Sequence, residues 1–371
     1  MLAFLGKRDY PTDGVEDYCR NLSNALAQKG CELKVERVGW AEMGWAVALW
    51  RLWRQSRGSA GRWALVQYAA LAWSRHGFSS GFLAVLGVLR ARRVRLAVVF
   101  HDWRPYEGTR LVDRVKRVCQ KLVMRYAYRW SQAAILTVPL EQVSWLPPEA
   151  SKAAFIPIGA NIPPAFCGSG DPPVERHGQD GHATSRRGHG SKTIAVFTIT
   201  DGGDISKEVS DIVLTARKAA ERVTRIRLVT FGRGSAEAEP QFRRALEGST
   251  VEFSALGILP PEEVSEVLAN ADVSLFVRGR VSTQRGTAIA SIASGVPLVA
   301  YADPFLPNPL AESGIVPVVY LNSKQLADAT SRVLTDDQLW RELRDRSWLA
   351  HEKYFSWKAI AGRFLEVLHY A

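Results

Sequence analysis

Cysteine is scarce: only Cys19, Cys31, Cys119 and Cys167 occur in 371 residues. No two have the close spacing of a metal knuckle or redox pair, so a disulfide scaffold and a cysteine-held zinc site are excluded, and the thiols read as reduced and structural. There is no uninterrupted apolar run of the roughly 18 residues that a membrane-spanning helix needs. The amino terminus begins almost directly on a strand-like MLAFL, without a basic segment leading into an apolar core, which argues against a secretory signal. A cytoplasmic protein is expected, with room for peripheral attachment to a membrane. Zinc-finger spacings and aromatic RNA-binding motifs are missing, which ranks nucleic acid last among partners. Acid is also lacking in one half. Residues 1–164 hold 24 Lys and Arg against 12 Asp and Glu, a balance of +12, whereas 165–371 hold 24 against 25, a balance of −1. The whole positive excess therefore lies in the first half, which should face an anionic partner or else present a solvated basic face.

With 47% hydrophobic residues, the chain can build two α/β domains, each with its own core. Short β-rich runs alternate with helical spacing from end to end, the pattern of a doubly wound parallel sheet built twice. In the first half, strands are expected at Met1–Leu5, Glu32–Val38, Ala64–Tyr68, Arg95–Phe100, Ala133–Val138 and Ala154–Ile158. Helices are expected from Val15, over Gly81–Ala91 and over Leu111–Trp130, a long basic one. Gly14 opens the first helix and would let a ligand approach the backbone. The segment Trp40–Trp63 interleaves tryptophan and arginine; it could lie on a bilayer or pack on the sheet.

Residues 165–192 are dense in Gly, Pro, Ser and charge and read as a flexible linker. Their His177, His182 and His189 are irregularly spaced without carboxylate support, so solvated loop is a better reading than metal site. The expected organisation is an N-terminal domain over 1–164, the linker over 165–192, a C-terminal domain over 193–354 and a closing helix over 355–371 that could cross back to the first domain.

The second half is organised around Ala271–Ala300, which reads as strand, polar loop, helix and strand. Strands at Val273–Val277 and Val296–Ala300 would make a βαβ crossover, with the helix starting at a strand's carboxyl end. Helix dipole and free N–H groups there favour a phosphate, and Ser282, Thr283, Arg285, Gly286 and Thr287 supply hydroxyls, charge and room. A polar loop before a helix can equally be a simple cap. His101 follows a buried strand, at the rim where such sheets bind ligands, though a rim histidine is often structural.

Taken in order, DGVEDYCRNLSNALAQKGCEL, VVFHD, IPIGANIP, Lys207 with Asp211 and Ile212, TFGRGS, ALGILPPEEVSEVLANADVSLFV, SIASGVPLVA and YFSWKAIAGRFLEVL resemble, over nearly the whole length, the GT-B glycosyltransferases of the retaining family 4 type. The resemblance implies two Rossmann-like domains facing a cleft, and transfer of a sugar from a nucleotide diphosphate sugar to a glycan or lipid-linked acceptor, in polysaccharide or glycoconjugate synthesis. On this reading catalysis is expected at His101, Lys207 and Arg285. Donor binding falls to Gly14, Gly232, Gly234, Leu259, Ser282, Thr283, Gly286 and Thr287. His101 would meet the donor sugar, and Lys207, Arg285 and the helix start at Thr287 would take the charge of the leaving diphosphate. No cofactor and no metal is expected beyond the donor itself; Asp201 and Asp204 read as turn residues. The chain departs from the family where paired glutamates precede the proline run, having Ser282 and Ala290, where an arginine precedes the motif lysine, having Asp201, and at Glu208, where glycine is usual. Arg278, Arg280 and Arg285 could restore the lost positive charge. A non-catalytic nucleotide-sugar-binding subunit and a sugar-nucleotide epimerase are the competing readings.

Overall fold

The computed structural model describes residues 1–10, 13–163, 191–200 and 205–370. The calls on residues 165–190, on Cys167, His177, His182 and His189, and on Asp201 and Asp204 lie outside the described residues. The chain divides into two compact units, Met1–Asn161 with Ser356–Ala371, and Ile162–Phe355.

In the first unit the order is β1 (Leu2–Leu5), α1 (Gly14–Ala27), β2 (Lys34–Arg37), α2 (Trp40–Met43), α3 (Trp45–Gln55), β3 (Trp63–Tyr68), α4 (Ser80–Ala91), β4 (Arg95–Phe100), α5 (Leu111–Trp130), β5 (Ala133–Leu136) and β6 (Ala153–Phe155). The strands form a parallel six-stranded sheet in the order β2-β1-β3-β4-β5-β6. Alternation along the strands feeds two cores. Ala64, Val66 and Tyr68 of β3 pack with residues of α3, α4 and α5, whereas Leu65 joins the opposite face with Tyr18, Leu22 and Leu26 of α1. Ile360, Ala361 and Phe364 of the closing helix Trp357–Tyr370 belong to that second core, and Trp357 Nε1 donates to the Ala160 carbonyl at 2.8 Å.

The Trp40–Trp63 segment is packed on the sheet in part and exposed in part. Trp40 is buried, stacks on Trp45 with ring centroids 4.9 Å apart, and donates its indole N–H to Ala72 O. Trp50 and Trp53 are exposed, each with an arginine over its ring.

The second unit runs β7 (Lys192–Phe197), α6 (Ser206–Ala220), β8 (Ile226–Phe231), α7 (Ser235–Leu246), β9 (Glu252–Ala255), α8 (Pro261–Ala269), β10 (Val273–Phe276), α9 (Gly286–Ala293), β11 (Leu298–Ala302), β12 (Ile315–Val319), α10 (Ser323–Thr335) and α11 (Asp337–Ala350), after which the chain returns to the first unit as α12 (Trp357–Tyr370). Its parallel sheet has the order β12-β11-β10-β7-β8-β9, so strand order reverses between β10 and β7. α6, α7 and α10 cover one face, and α8 and α9 the other. β10 and β11 pair in parallel, Ser274 opposite Leu298, which makes the stretch that organises the sequence the expected βαβ crossover. Helix α7 was not expected from the sequence, because Pro240 stands inside it and breaks the ordinary helical signal.

Candidate anion site at the strand-order reversal

In an open parallel sheet, ligands lie beyond the carboxyl ends of the strands at the point where the order reverses. In the second unit that point is fixed by the loops after β7 and β10, and the sequence puts its cations there. The loop from Val277 to Arg285 is pinned at its middle by Val281 N–H donating to Tyr301 O at 2.8 Å, and turns into α9 through Arg285 N–H donating to Ser282 O at 3.0 Å. α9 is held onto β10 by the Ser291 hydroxyl donating to Ser274 Oγ at 3.0 Å. The first N–H groups of a helix have no intrahelical acceptor, and no side chain caps α9.

Arg285 is the N-cap residue of α9 and reaches toward the Phe276 ring and Gly279. Arg278 stands beside it. Burial pushes the guanidinium pKa of both below its ordinary value, and for Arg285 the neighbouring charge of Arg278 pushes the same way. On Arg278, burial is opposed by Glu208 and reinforced by Arg233, which places all four charged groups in one electrostatic cluster. Neither Arg278 nor Arg285 has an ion pair or hydrogen-bond acceptor among the described residues. Glu208 is itself held, accepting from Thr200 N–H at 3.0 Å and from the Thr200 hydroxyl. Arg280 is spent elsewhere, pairing with Asp303 at 2.7 Å and lying 4.4 Å from the Tyr320 ring centre.

Lys207, in the first turn of α6, pairs with Asp211 one turn on. Asp211 is 2% exposed, and its other oxygen accepts from the Tyr301 hydroxyl at 2.7 Å. Burial, followed by the Asp211 contact, raises the Tyr301 phenol well above its ordinary pKa. Lys207 therefore compensates a buried carboxylate and adds little net charge to the cluster. Of the donor-binding candidates, Ser282, Thr283, Gly286 and Thr287 share the α9 loop with Arg285. Thr283 is buried, and the Thr287 carbonyl accepts from Ser291.

Gly232 and Gly234 follow β8 with φ of +85° and +73°, and a Cβ on Gly234 would stand 2.5 Å from Ile199 O, so both glycines are required by the turn itself. Leu259 packs with Ile162, Phe197 and Val267 against the α8 side. Ala290, where the resembled family has a glutamate, is fully buried with Ala195, Phe231, Val264 and Leu268.

His101 and Gly14 belong to the first unit. His101 directly follows β4, and its Nε2 lies 2.8 Å from Oε1 of Gln67, whose strand position shares its face one strand away. Tyr18 of α1 packs edge-on against the imidazole at 5.0 Å. Burial lowers the histidine to about 4, against a weaker opposing pull from Asp13, so the ring is neutral at physiological pH. Gln67 Nε2 and the Tyr18 hydroxyl are buried without a hydrogen-bond partner among the described residues. Asp102 turns away to accept Ala70 N–H at 2.6 Å. A Cβ on Gly14 would meet nothing within 4 Å, so the protein's own packing does not demand glycine there. The start of α1 is already supplied with an anion: Asp13 accepts from Val15 and Glu16 N–H at 3.1 Å and pairs with Arg37 at 3.0 Å. The start of α1 is thus capped by a carboxylate, whereas α9 starts without a side-chain cap beside Arg278 and Arg285.

Sequence reasoning did not single out Gln67, Tyr18 or the pairing of Asp211 with Tyr301. The one local signal was a glutamine inside the apolar run WALVQY.

No family model matches the sequence, and no curated protein matches it. Solved structures do match over the full chain. Anabaena Alr3699/HepE in complex with UDP and glucose gives a TM-score of 0.64 at 12% identity, covering 100% of this chain and 99% of that one. Sucrose-phosphate synthase from Thermosynechococcus elongatus gives 0.64 at 17%, covering 100% and 98%. The lipopolysaccharide outer core galactosyltransferase WaaB in its apo form gives 0.60 at 11%, covering 100% and 99%. What these likenesses share with the chain is its architecture, two parallel six-stranded doubly wound units of the GT-B type.

Proposed function

We propose that the second unit binds the diphosphate of a nucleotide sugar at the start of α9, and that the protein is a glycosyltransferase passing that sugar to a glycan or lipid-linked acceptor with retention of configuration. The observation that carries this is the pair of half-buried guanidinium groups, Arg278 and Arg285, without an ion pair among the described residues, beside an uncapped helix N-terminus at the strand-order reversal. Desolvated, unpaired cations are costly to a fold and are kept where an anion completes them. The fold supports the reading, since HepE, similar in architecture, was crystallised with UDP and glucose.

As the glycosidic bond breaks, negative charge collects on the diphosphate. Arg285, Arg278 and the α9 dipole are fixed where they can stabilise it without reorganising, so the stabilisation needs no metal in this reading. Glu208 lends Arg278 a charge of opposite sign while its carboxylate is held by Thr200. His101, held neutral by burial and aligned by Gln67, brings no charge to the strand rim of the first unit. Isothermal titration with UDP, GDP and ADP, followed by assay of the matching nucleotide sugars, tests the proposal. Micromolar binding that requires Arg285 supports it. Binding with neither transfer nor hydrolysis would identify the non-catalytic subunit, and absence of nucleotide binding would end both readings.

A further inference from the structure

Helices α3, α4 and α5 lie side by side over one face of the first sheet, α3 against α4 and α4 against α5. α5 contributes Val123, Met124 and Ala127 to the core beneath. It also carries a second apolar stripe, Leu111, Val115, Val118, Leu122 and Tyr126, at the i, i+4, i+7 spacing of one helix face, and each of these is between 45% and 77% exposed. Every residue of the stripe directly follows a basic one: Arg110, Arg114, Arg117, Lys121 and Arg125. At about 1.5 Å per residue, the doubled row runs about 24 Å along α5.

The rest of the layer has the same character. On α3, Val47, Trp50 and Trp53 are exposed; the Arg54 guanidinium lies 4.8 Å from the Trp50 ring and that of Arg92 lies 3.9 Å from the Trp53 ring. α3 and α4 contain no Asp or Glu, and the single acid of α5, Asp113, is buried, accepting the Arg110 N–H at 3.1 Å. The outer side of the three helices therefore shows no carboxylate.

We propose that this layer docks on an anionic lipid surface, with α5 lying in the plane of the interface, its stripe at the headgroup boundary and its basic row on the phosphates. A leaflet supplies apolar depth and negative charge together along the whole helix, which is the combination the paired rows fit. Exposed tryptophans with arginines over their rings suit the same depth. The attachment is peripheral: among the described residues no helix is long and apolar enough to cross a membrane. This inference does not rest on the proposed sugar transfer, and its test needs no nucleotide.

The full chain is sedimented with vesicles of phosphatidylcholine alone or mixed with phosphatidylglycerol, at low and high salt. Wild type binds the anionic vesicles at least tenfold better, and salt releases it. Val118→Asp with Leu122→Asp, both at exposed positions, reduces that binding at least tenfold while circular dichroism stays unchanged; Leu349→Asp, exposed in the second unit, does not. Arg114→Gln, Lys121→Gln and Arg125→Gln together remove the preference for anionic lipid. Equal binding of the stripe variant and wild type overturns the proposal. So does a dimer seen by light scattering that the stripe variant abolishes, since a second copy would then be what covers the face.

Discussion

Replacing Arg285 by methionine should separate ligand binding from stability. Methionine keeps an unbranched apolar stem of similar reach while removing a guanidinium that burial and Arg278 both disfavour and that no described carboxylate offsets. Relief of that cost by about 1 kcal/mol would raise the melting temperature of the free protein by roughly 2–4 °C for a unit of this size. The bound state moves the other way. Loss of one charge-assisted hydrogen bond to a diphosphate removes about 1.5–3 kcal/mol, or roughly 10- to 150-fold in Kd. Calorimetric titration with the nucleoside diphosphate and thermal scans without it give the two numbers. A variant that binds as well as wild type refutes the site. A variant that melts earlier without ligand shows that Arg285 serves the fold, and the argument from an uncompensated cation fails.

Four further outcomes are expected. Tyr301→Phe takes a hydroxyl from the buried Asp211 carboxylate and should cost about 1–3 kcal/mol in urea unfolding; an unchanged midpoint would mean that Lys207 alone satisfies that group. Gly234→Ala forces a Cβ against Ile199 O at positive φ and should destabilise by about 2 kcal/mol or more, read as an earlier thermal transition whether or not nucleotide is present. His101 and His351 are both held neutral by burial, at about 4 against an ordinary 6.5. The folded chain therefore binds fewer protons than the unfolded chain between those values, so stability is full above pH 6.5 and falls as pH drops toward 4, by up to about 2 kcal/mol per histidine at pH 5; a His351→Gln variant that shows the wild-type loss between pH 7 and pH 5 would contradict this. Ala290→Glu, placing a carboxylate among Phe231, Val264 and Leu268, should destabilise strongly and not create a ribose contact; soluble, stable protein with tighter nucleotide binding would show that the helix opens toward ligand there.

Much of the fold was legible because parallel strands buried on both faces read as continuous apolar runs: RLAVVF gave β4, and VSLF with LVAYA gave the crossover around α9. α7 was hidden by Pro240, although Ala238, Phe242 and Leu246 bury at helical spacing. On α5 periodicity spoke for a helix but not for its orientation. The more regular of its two apolar stripes faces water, and only the sheet beneath determines which stripe is core. At the site, the α9 loop stood out because its cations, hydroxyls and glycine are contiguous. The pairing of Asp211 with Tyr301 did not, since 90 positions separate the two and each is unremarkable alone. Gln67 and His101 meet only because β3 and β4 are neighbours in register.

The closing helix gives the chain an unusual genetic grammar: the first unit is written in two pieces, Met1–Asn161 and Ser356–Ala371, with the second unit interpolated between them. Ile360, Ala361 and Phe364 are fully buried beside Tyr18, Leu22 and Leu26. A gene fragment ending at residue 161 would therefore yield a first unit with an open apolar flank, prone to associate with itself. The same fragment extended through a short linker into 356–371 would restore that flank, and is the piece to express when the first unit is wanted alone.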